Sequence, residues 1–99
     1  MKIIKSSMVG TLESSDIQIR VEQRDELGIK IQLKSSVEKQ FGKQIRKVII
    51  ETLESLGIDS CLVIAIDKGA LDCTIKARVQ CAAYRAVGDA EKINWEVIN

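Results

Sequence analysis

One apolar stripe at helical spacing, set between segments in which every second residue is apolar, constrains the fold of this 99-residue chain most. The spacing from Ser35 to Glu38 is that of a capping box, with Ser35 as N-cap, and Gly57 suits a left-handed C-cap. Gly42 is an interior glycine whose cost the burial of the stripe can offset. The apolar members of the stripe are Val37, Phe41, Ile45, Val48, Ile49, Leu53 and Leu56. We therefore predict a long helix that packs this face into the core.

Alternating apolar residues before the helix predict three strands. Residues 16–22 place apolar side chains on one face and polar side chains on the other, and residues 29–33 repeat the pattern. We predict that these two strands pair as an antiparallel hairpin through the polar turn between them. Residues 8–13 are apolar enough for a shorter strand, so Ser14 and Ser15 are then a two-residue turn into the next strand.

The segment after the helix holds a buried strand and a stretch that two patterns fit. Residues 61–66 are a continuous apolar run, which predicts a central strand ended by the polar turn 67–69. Residues 71–79 alternate as a strand would, but their apolar residues also fit a helical stripe. The alanines from Ala77 onward favour a helix, which we place at residues 70–87.

The predicted order of elements is β-β-β-α-β-α, which is an α+β fold in two layers. A small antiparallel or mixed sheet carries both helices on one face. Residues 1–88 then form a single domain, and residues 89–99 form a polar tail that contains the only tryptophan, Trp95.

The composition excludes several classes of function. The chain has no histidine, so it cannot build a serine triad, a Cys-His pair or a His-bearing zinc site by itself. Lys and Arg number 15 against 14 Asp and Glu, and aromatic residues make up 3% of the chain, which argues against nucleic-acid binding. No apolar run is long enough for a membrane span or a signal-peptide core. We expect a cytoplasmic protein without catalytic residues and without nucleic-acid or membrane partners.

The three cysteines, Cys61, Cys73 and Cys81, make an odd count without a C-x-x-C pair. Neither a disulfide framework nor a structural zinc site is indicated, so we expect reduced thiols and no metal. Each cysteine lies in an apolar stretch, and we expect all three to be small buried residues.

Two serines are candidates for covalent modification. Ser55 stands in a Glu-Ser-Leu sequence that superficially resembles ordinary phosphopantetheine carriers, but it lies near the C-terminal end of the predicted helix, where the helix dipole disfavours a phosphate. Ser14 lies at the tip of the first predicted turn, and its only acidic neighbours are Glu13 and Asp16. An outside enzyme would have to modify Ser14, since the sequence places no other base beside its hydroxyl.

Three separated segments together resemble a known family. Residues 10–16 read Gly-Thr-Leu-Glu-Ser-Ser-Asp, residues 35–42 read Ser-Ser-Val-Glu-Lys-Gln-Phe-Gly, and residues 67–73 read Asp-Lys-Gly-Ala-Leu-Asp-Cys. In this order they resemble the acyl carrier (gamma) subunits of citrate lyase, whose relatives are the acyl carrier (delta) subunits of malonate decarboxylase. The resemblance runs from Met1 to about Arg85 and leaves the tail uncovered.

The resemblance implies a carrier subunit without catalytic residues of its own. The family's modified serine falls on Ser14, which would hold a phosphoribosyl-dephospho-CoA arm through a phosphodiester. That arm would carry acetyl and citryl thioesters while citrate is cleaved to oxaloacetate and acetate. The implied partners are the alpha subunit, which exchanges acetate for citrate, the beta subunit, which cleaves the citryl thioester, and the holo-carrier synthase enzymes. Many members have glycine after the modified serine, where this chain has Ser15, and Lys5 and Arg20 are candidates for contacting the phosphates of the arm.

Two other functions stay open at this point. The carrier could serve a malonate-decarboxylase-type complex, although residues 35–42 resemble the citrate lyase subunits more closely. Alternatively, the chain is a non-enzymatic interaction domain that docks through the basic face of its first helix. That face consists of Lys39, Lys43 and Lys47.

Overall fold

Residues 1–87 are described by a computed structural model, and their elements follow the predicted order β-β-β-α-β-α. The elements are β1 (Ser7–Val9), β2 (Ile17–Glu22), β3 (Gly28–Ser35), α1 (Glu38–Ser55), β4 (Ser60–Asp67) and α2 (Asp72–Ala86). They form an α+β fold, and the helix predicted for residues 70–87 is confirmed as α2. The predicted polar tail at 89–99, with Trp95, lies outside the described residues.

The four strands form one mixed sheet in the order β1-β2-β4-β3. β4 pairs antiparallel with β2 and parallel with β3, and β1 pairs antiparallel with β2. The central position predicted for β4 is confirmed, but the hairpin predicted between residues 16–22 and 29–33 is wrong, because β4 lies between β2 and β3. As a continuous apolar run, β4 takes the place where both of its edges are paired.

The connection from β2 to β3 crosses the start of β4. The Ser60 hydroxyl lies within hydrogen-bond distance of the carbonyl oxygens of Arg24 (2.9 Å) and Glu26 (2.6 Å). The N–H of Gly28 donates to the carbonyl oxygen of Asp59 at 3.0 Å. The alternation of apolar and polar residues predicts that residues 16–22 and 29–33 are each a strand with one buried face. It does not show whether a strand from later in the chain lies between them in the sheet.

Both helices cover one face of the sheet, and the core lies between the sheet and the helices. Alternate residues of β2 and β4 on this face are almost fully buried. Ile49 and Leu53 of α1 pack there together with Ile75 and Val79 of α2, and all four are 0% exposed. The helices therefore sit on one layer of strands, as predicted.

The start of α1 differs from the prediction. α1 begins at Glu38 with Val37 as N-cap, so the capping box predicted at Ser35 is wrong. Ser35 is the last residue of β3, where it lies opposite Asp67 of β4. Its hydroxyl donates to Oδ2 of Asp67 at 2.8 Å and accepts from the N–H of Val37 at 3.1 Å. A buried carboxylate needs hydrogen-bond donors more than an exposed helix end needs a cap.

The end of α1 is as predicted. Gly57 has a φ of +74°, and its N–H donates to the carbonyl oxygen of Glu54 at 2.9 Å. The N–H of Ile58 donates to the carbonyl oxygen of Leu53 at 3.0 Å. This is a Schellman motif, in which a left-handed residue satisfies the last carbonyl groups of a helix.

The apolar stripe of α1 packs into the core except at its start, although Val48 is only partly buried. Ile45 and Leu53 are at most 3% exposed, as predicted, but Phe41 is 52% exposed and is not part of the core. Gly42 is buried in its place. Successive helical residues are about 100° apart, so the middle of the buried face passes through Gly42 and leaves Phe41 at its margin in the first turn.

We expect Leu53→Ala to lower the free energy of unfolding by about 3 kcal/mol, because it leaves a cavity in the core. Phe41→Ala removes a larger side chain but should cost less than about 1 kcal/mol, because that ring is already half exposed. Urea unfolding followed by far-ultraviolet circular dichroism measures both. Equal losses for the two variants would contradict the placement of Phe41 outside the core.

Candidate functional site

The three segments that carry the family resemblance meet at one end of the sheet. The first and third are joined by two backbone bonds: the N–H of Ser15 donates to the carbonyl oxygen of Lys68 (2.8 Å), and the N–H of Lys68 donates to that of Asp16 (2.9 Å). The second and third are joined by the hydrogen bond from the Ser35 hydroxyl to the carboxylate of Asp67. This end of the domain is therefore the candidate functional site.

Ser14 lies at the apex of the loop of residues 10–16, which we call the Ser14 loop. The N–H of Asp16 donates to the carbonyl oxygen of Glu13 at 3.2 Å and closes a β-turn with Ser14 and Ser15 at its centre. Ser14 is exposed, so its hydroxyl is accessible to a large reagent or enzyme.

The Ser14 loop is longer than the two-residue turn that the sequence predicts. β1 ends at Val9, so the strand predicted over residues 8–13 is wrong beyond that point. Gly10 turns the chain away from the sheet with a φ of +97°, and a Cβ atom on it would collide with the carbonyl oxygen of Ile17. Only glycine allows the loop to leave the sheet this close to the backbone of β2.

Ser15 has an unusual backbone conformation. Its φ of +66° makes it the one residue other than glycine with a positive φ in the described range 1–87. The left-handed region costs a residue with a side chain about 1–2 kcal/mol, whereas glycine adopts it without steric cost. Ser15 therefore stores local strain directly beside Ser14.

The carboxylate of Asp16 anchors the Ser14 loop. Arg78 of α2 donates to it from Nε and from Nη2, both at 3.0 Å. Thr11 donates from its N–H (3.1 Å) and from its hydroxyl (2.7 Å), and the N–H of Ile17 donates at 2.7 Å. The hydrogen bond from Arg78, followed by that from Thr11, holds the pKa of Asp16 well below its ordinary value of 3.8. Asp16 is therefore ionised and bound, and it does not serve as a base for Ser14.

A second carboxylate, that of Asp67, fixes the turn after β4. Asp67 is 1% exposed and accepts from the N–H groups of Gly69 (3.1 Å) and Ala70 (3.0 Å) as well as from Ser35. These bonds hold the backbone of Lys68, which in turn holds the Ser14 loop. The loop is thus supported from α2 on one side and from the end of β4 on the other.

Neither Lys5 nor Arg20, which the sequence suggested as phosphate contacts, lies at the Ser14 loop. The N–H of Lys5 donates to the carbonyl oxygen of Ala86 (3.1 Å) at the end of α2. Ala86 lies about 12 Å along α2 from Arg78, the residue of this helix that binds the Ser14 loop. Arg20 lies on the sheet face opposite the helices and forms an ion pair with Glu22 at 2.9 Å.

The other residues that the sequence suggested lie along α1. The exposed basic residues on this helix that form the predicted face are Lys39, Lys43 and Lys47. Lys47 lies 3.9 Å from Glu51 in an exposed ion pair, which contributes little to stability. Ser55 is exposed in the last turn, and its hydroxyl donates to the carbonyl oxygen of Thr52 at 2.6 Å. The docking role of the lysine face stays a prediction.

The cysteines differ in burial. Cys61 is fully buried, and its burial raises the pKa of its thiol to about 11. Cys81 is partly buried, but Cys73 is exposed, so the prediction of three buried cysteines is wrong for Cys73. The reason is that Cys73 lies about 200° around α2 from the buried Ile75.

Within residues 1–87 no cluster of three or more potential metal ligands occurs.

Over residues 1–87, neither α1 nor α2 combines the length and the apolar character that a membrane crossing requires.

Arg78 is the site residue that sequence reasoning missed. It lies 62 residues from Asp16, in a segment whose pattern fits both a strand and a helix. The sequence signal that could have indicated Arg78 is a cationic residue immediately before the buried Val79, on a helix that we predict to pack against the sheet. Such a cation needs an acidic partner at the edge of the core.

Curated relatives of the chain are citrate lyase acyl carrier proteins. The chain is 54% identical to the citrate lyase acyl carrier protein of Streptococcus mutans over 99 residues, which are 100% of this chain and 96% of that protein. It is 58% identical to the protein of the same name from Lacticaseibacillus casei, with the same coverage of both chains. A family model described as malonate decarboxylase delta subunit (MdcD) matches residues 4–86.

A solved structure shares the fold. The match is to a chain in the crystal structure of a Pseudomonas malonate decarboxylase hetero-tetramer in complex with malonate, with a TM-score of 0.67 and 17% sequence identity. It covers 83% of this chain and 84% of that chain. The same arrangement of strands and helices therefore exists in a subunit of a larger complex.

We expect Asp16→Asn and Arg78→Gln each to lower the free energy of unfolding at neutral pH by about 1–2 kcal/mol, because each breaks the two-bond pair. Asp16 is 13% exposed and Arg78 is 38% exposed, so solvent screening keeps the loss below that of a fully buried pair. The double variant should lose less than the sum of the two single variants, and urea unfolding measures all three. Strictly additive losses would contradict a direct interaction.

The stability that Asp16 contributes should depend on pH. Its pKa is lowered in the folded chain, so the contribution is fully present above the ordinary pKa of 3.8. It is lost as the pH falls further, because the unfolded chain binds the proton first. The difference in stability between the wild type and Asp16→Asn should therefore shrink below about pH 4.

We expect Ser15→Gly to raise the free energy of unfolding by up to about 1 kcal/mol, because it removes the strain of a left-handed side chain. The greater backbone freedom of glycine in the unfolded chain offsets part of this gain. Ser15→Ala keeps the Cβ atom and should bring no gain, so it is the matched control in thermal unfolding. A loss of stability in Ser15→Gly would contradict the left-handed conformation.

Proposed function

The chain belongs to the family of citrate lyase acyl carrier proteins, and on that premise we propose that it is the acyl carrier subunit of a citrate lyase complex. Its Ser14 carries a phosphoribosyl-dephospho-CoA arm through a phosphodiester. The observation that carries the proposal is the exposure of Ser14 at the apex of an anchored loop. That loop is the segment in which the sequence resembles the family's modified serine.

The Ser14 loop fits covalent attachment of such an arm. Ser14 is exposed, so a loading enzyme can reach its hydroxyl. The loop is held by the Asp16 carboxylate and by the backbone of Lys68, so that hydroxyl is presented in one place. When attached, the arm supplies a terminal thiol that carries acyl groups as thioesters.

The groups of the chain itself support a carrier rather than a catalyst. The chain contains no histidine. Of the two acids beside Ser14, Asp16 is bound to Arg78 and Glu13 is exposed to water, so neither is a base held against the Ser14 hydroxyl. Attachment of the arm is therefore the work of a holo-carrier synthase. Cleavage of citrate to oxaloacetate and acetate takes place on the alpha and beta subunits of the complex.

A second candidate is the acyl carrier of a malonate-decarboxylase-type complex. The family model that matches residues 4–86 and the shared fold both favour it. The two curated relatives at 54% and 58% identity over the whole chain favour citrate lyase. The two candidates share the carrier role and differ in the complex that accepts the acyl group.

Mass spectrometry tests the attachment site. The chain is co-expressed with the subunits of a citrate lyase and its loading enzymes, and its intact mass and its peptides are measured. We expect the mass of the arm on Ser14 in the wild type and in Ser15→Ala, and no arm in Ser14→Ala. Because Ser14 is exposed, Ser14→Ala should unfold within about 0.5 kcal/mol of the wild type. An arm on Ser15, or full loading of Ser14→Ala, would contradict the proposed site.

Reconstitution identifies the complex. The loaded chain is added to citrate lyase subunits and, separately, to malonate decarboxylase subunits, each lacking its own carrier. We expect it to restore citrate cleavage and not malonate decarboxylation. The opposite result would favour the second candidate. Binding that survives Ser14→Ala and is lost when Lys39, Lys43 and Lys47 are changed to glutamate, without any arm on the chain, would favour the interaction domain.

A further inference from the structure

Lys68 lies directly beside the turn that presents Ser14. Its N–H donates to the carbonyl oxygen of Asp16 at 2.9 Å, and its own carbonyl oxygen accepts from the N–H of Ser15 at 2.8 Å. These two bonds place the backbone of Lys68 across from Ser15 and Asp16, next to the turn that presents Ser14. Sequence spacing alone does not show this, because Ser14 and Lys68 are 54 positions apart in the sequence.

The backbone of Lys68 is fixed independently of its side chain. Asp67, the residue before it, is buried and accepts hydrogen bonds from Gly69 and Ala70, the two residues after it. The Ser35 hydroxyl secures the same carboxylate from β3. The position of Lys68 is therefore set by the fold, and its exposed side chain is available for another role.

In the part of the chain that the structure describes, hydrogen bonds tie two cationic residues, Arg78 and Lys68, to the Ser14 loop. The guanidinium of Arg78 is already bound to Asp16 by two hydrogen bonds. The remaining acid in the turn is Glu13, which is exposed and would repel a phosphate on Ser14. In the described part of the chain, the ion pairs are formed by other residues and none includes Lys68.

We propose that the ammonium group of Lys68 forms an ion pair with the phosphodiester that joins Ser14 to its arm. This inference rests on the proposed attachment at Ser14. A lysine suits the task because its ammonium is a compact charge on a flexible stem, which needs no fixed two-bond geometry. The pair offsets the repulsion from Glu13 and holds the first link of the arm against the turn, while the thiol end stays free to move.

Amine footprinting on the whole protein tests this pair. The chain without the arm and the chain with it are treated with a water-soluble acetylating reagent, and the acetylation rate of each lysine is measured by peptide mapping. We expect the arm to slow acetylation of Lys68 about threefold at low salt, which is the size expected of an exposed ion pair. The effect should disappear at about 1 M salt, where the screening length is short. Lys76, which is exposed on α2, is the matched control and should react equally in both forms.

A second measurement follows the phosphate instead of the lysine. We expect the ³¹P resonance of the phosphodiester to shift in Lys68→Gln, to stay near its wild-type position in Lys68→Arg, and to be unchanged in Lys76→Gln. Equal acetylation of Lys68 in both forms would overturn the ion pair, and so would a ³¹P resonance that does not shift in Lys68→Gln. In either case, the mass of the arm on Ser14 would still support the proposed function. Absence of the arm from Ser14 would overturn both.

Discussion

The end of the domain that presents Ser14 depends on one buried carboxylate, that of Asp67. A charge without water is costly unless hydrogen bonds compensate it, and Asp67, at 1% exposure, receives them from Ser35, Gly69 and Ala70. These bonds join the end of β3 to the turn after β4. That turn holds the Ser14 loop through the backbone of Lys68. One side chain at the end of the central strand therefore fixes the mutual positions of three segments that are far apart in the sequence.

The spacing of apolar residues predicted the strands and helices, because each element buries one face and therefore carries its own periodic pattern. It failed where two partners compete for the same group. The capping pattern at Ser35 is genuine as a local signal, but Asp67, 32 residues away, binds the same hydroxyl and makes Ser35 the end of a strand. The predicted hairpin failed for a related reason, because β4 competes for the edge of β2 and has the more apolar sequence. Local patterns cannot predict such outcomes, since the competitor lies elsewhere in the chain.

In the candidate site, too, some features follow from the local sequence and others depend on distant residues. A turn with two serines is readable from residues 10–16 alone, and the family resemblance is readable from these residues together with residues 35–42 and 67–73. The anchoring of that turn cannot be read from the local pattern, because Arg78 lies on a helix 62 residues away from its partner Asp16. For Phe41, the local pattern predicted burial that the structure does not show. The sheet and α2 cover only the middle of the apolar face of α1, and Phe41 lies at its margin.

On the proposed function, the anchoring of the Ser14 loop governs delivery of the acyl group, although the anchor does not touch the reacting thioester. A carrier that serves two active sites needs a mobile tether, and the effective concentration at each site falls as that tether becomes longer. A mobile loop would add its own residues to the tether and would have to be ordered again at every docking event. The bonds from Arg78 and Lys68 remove that freedom during folding. Motion is then confined to the arm, whose free length sets how far the acyl group travels.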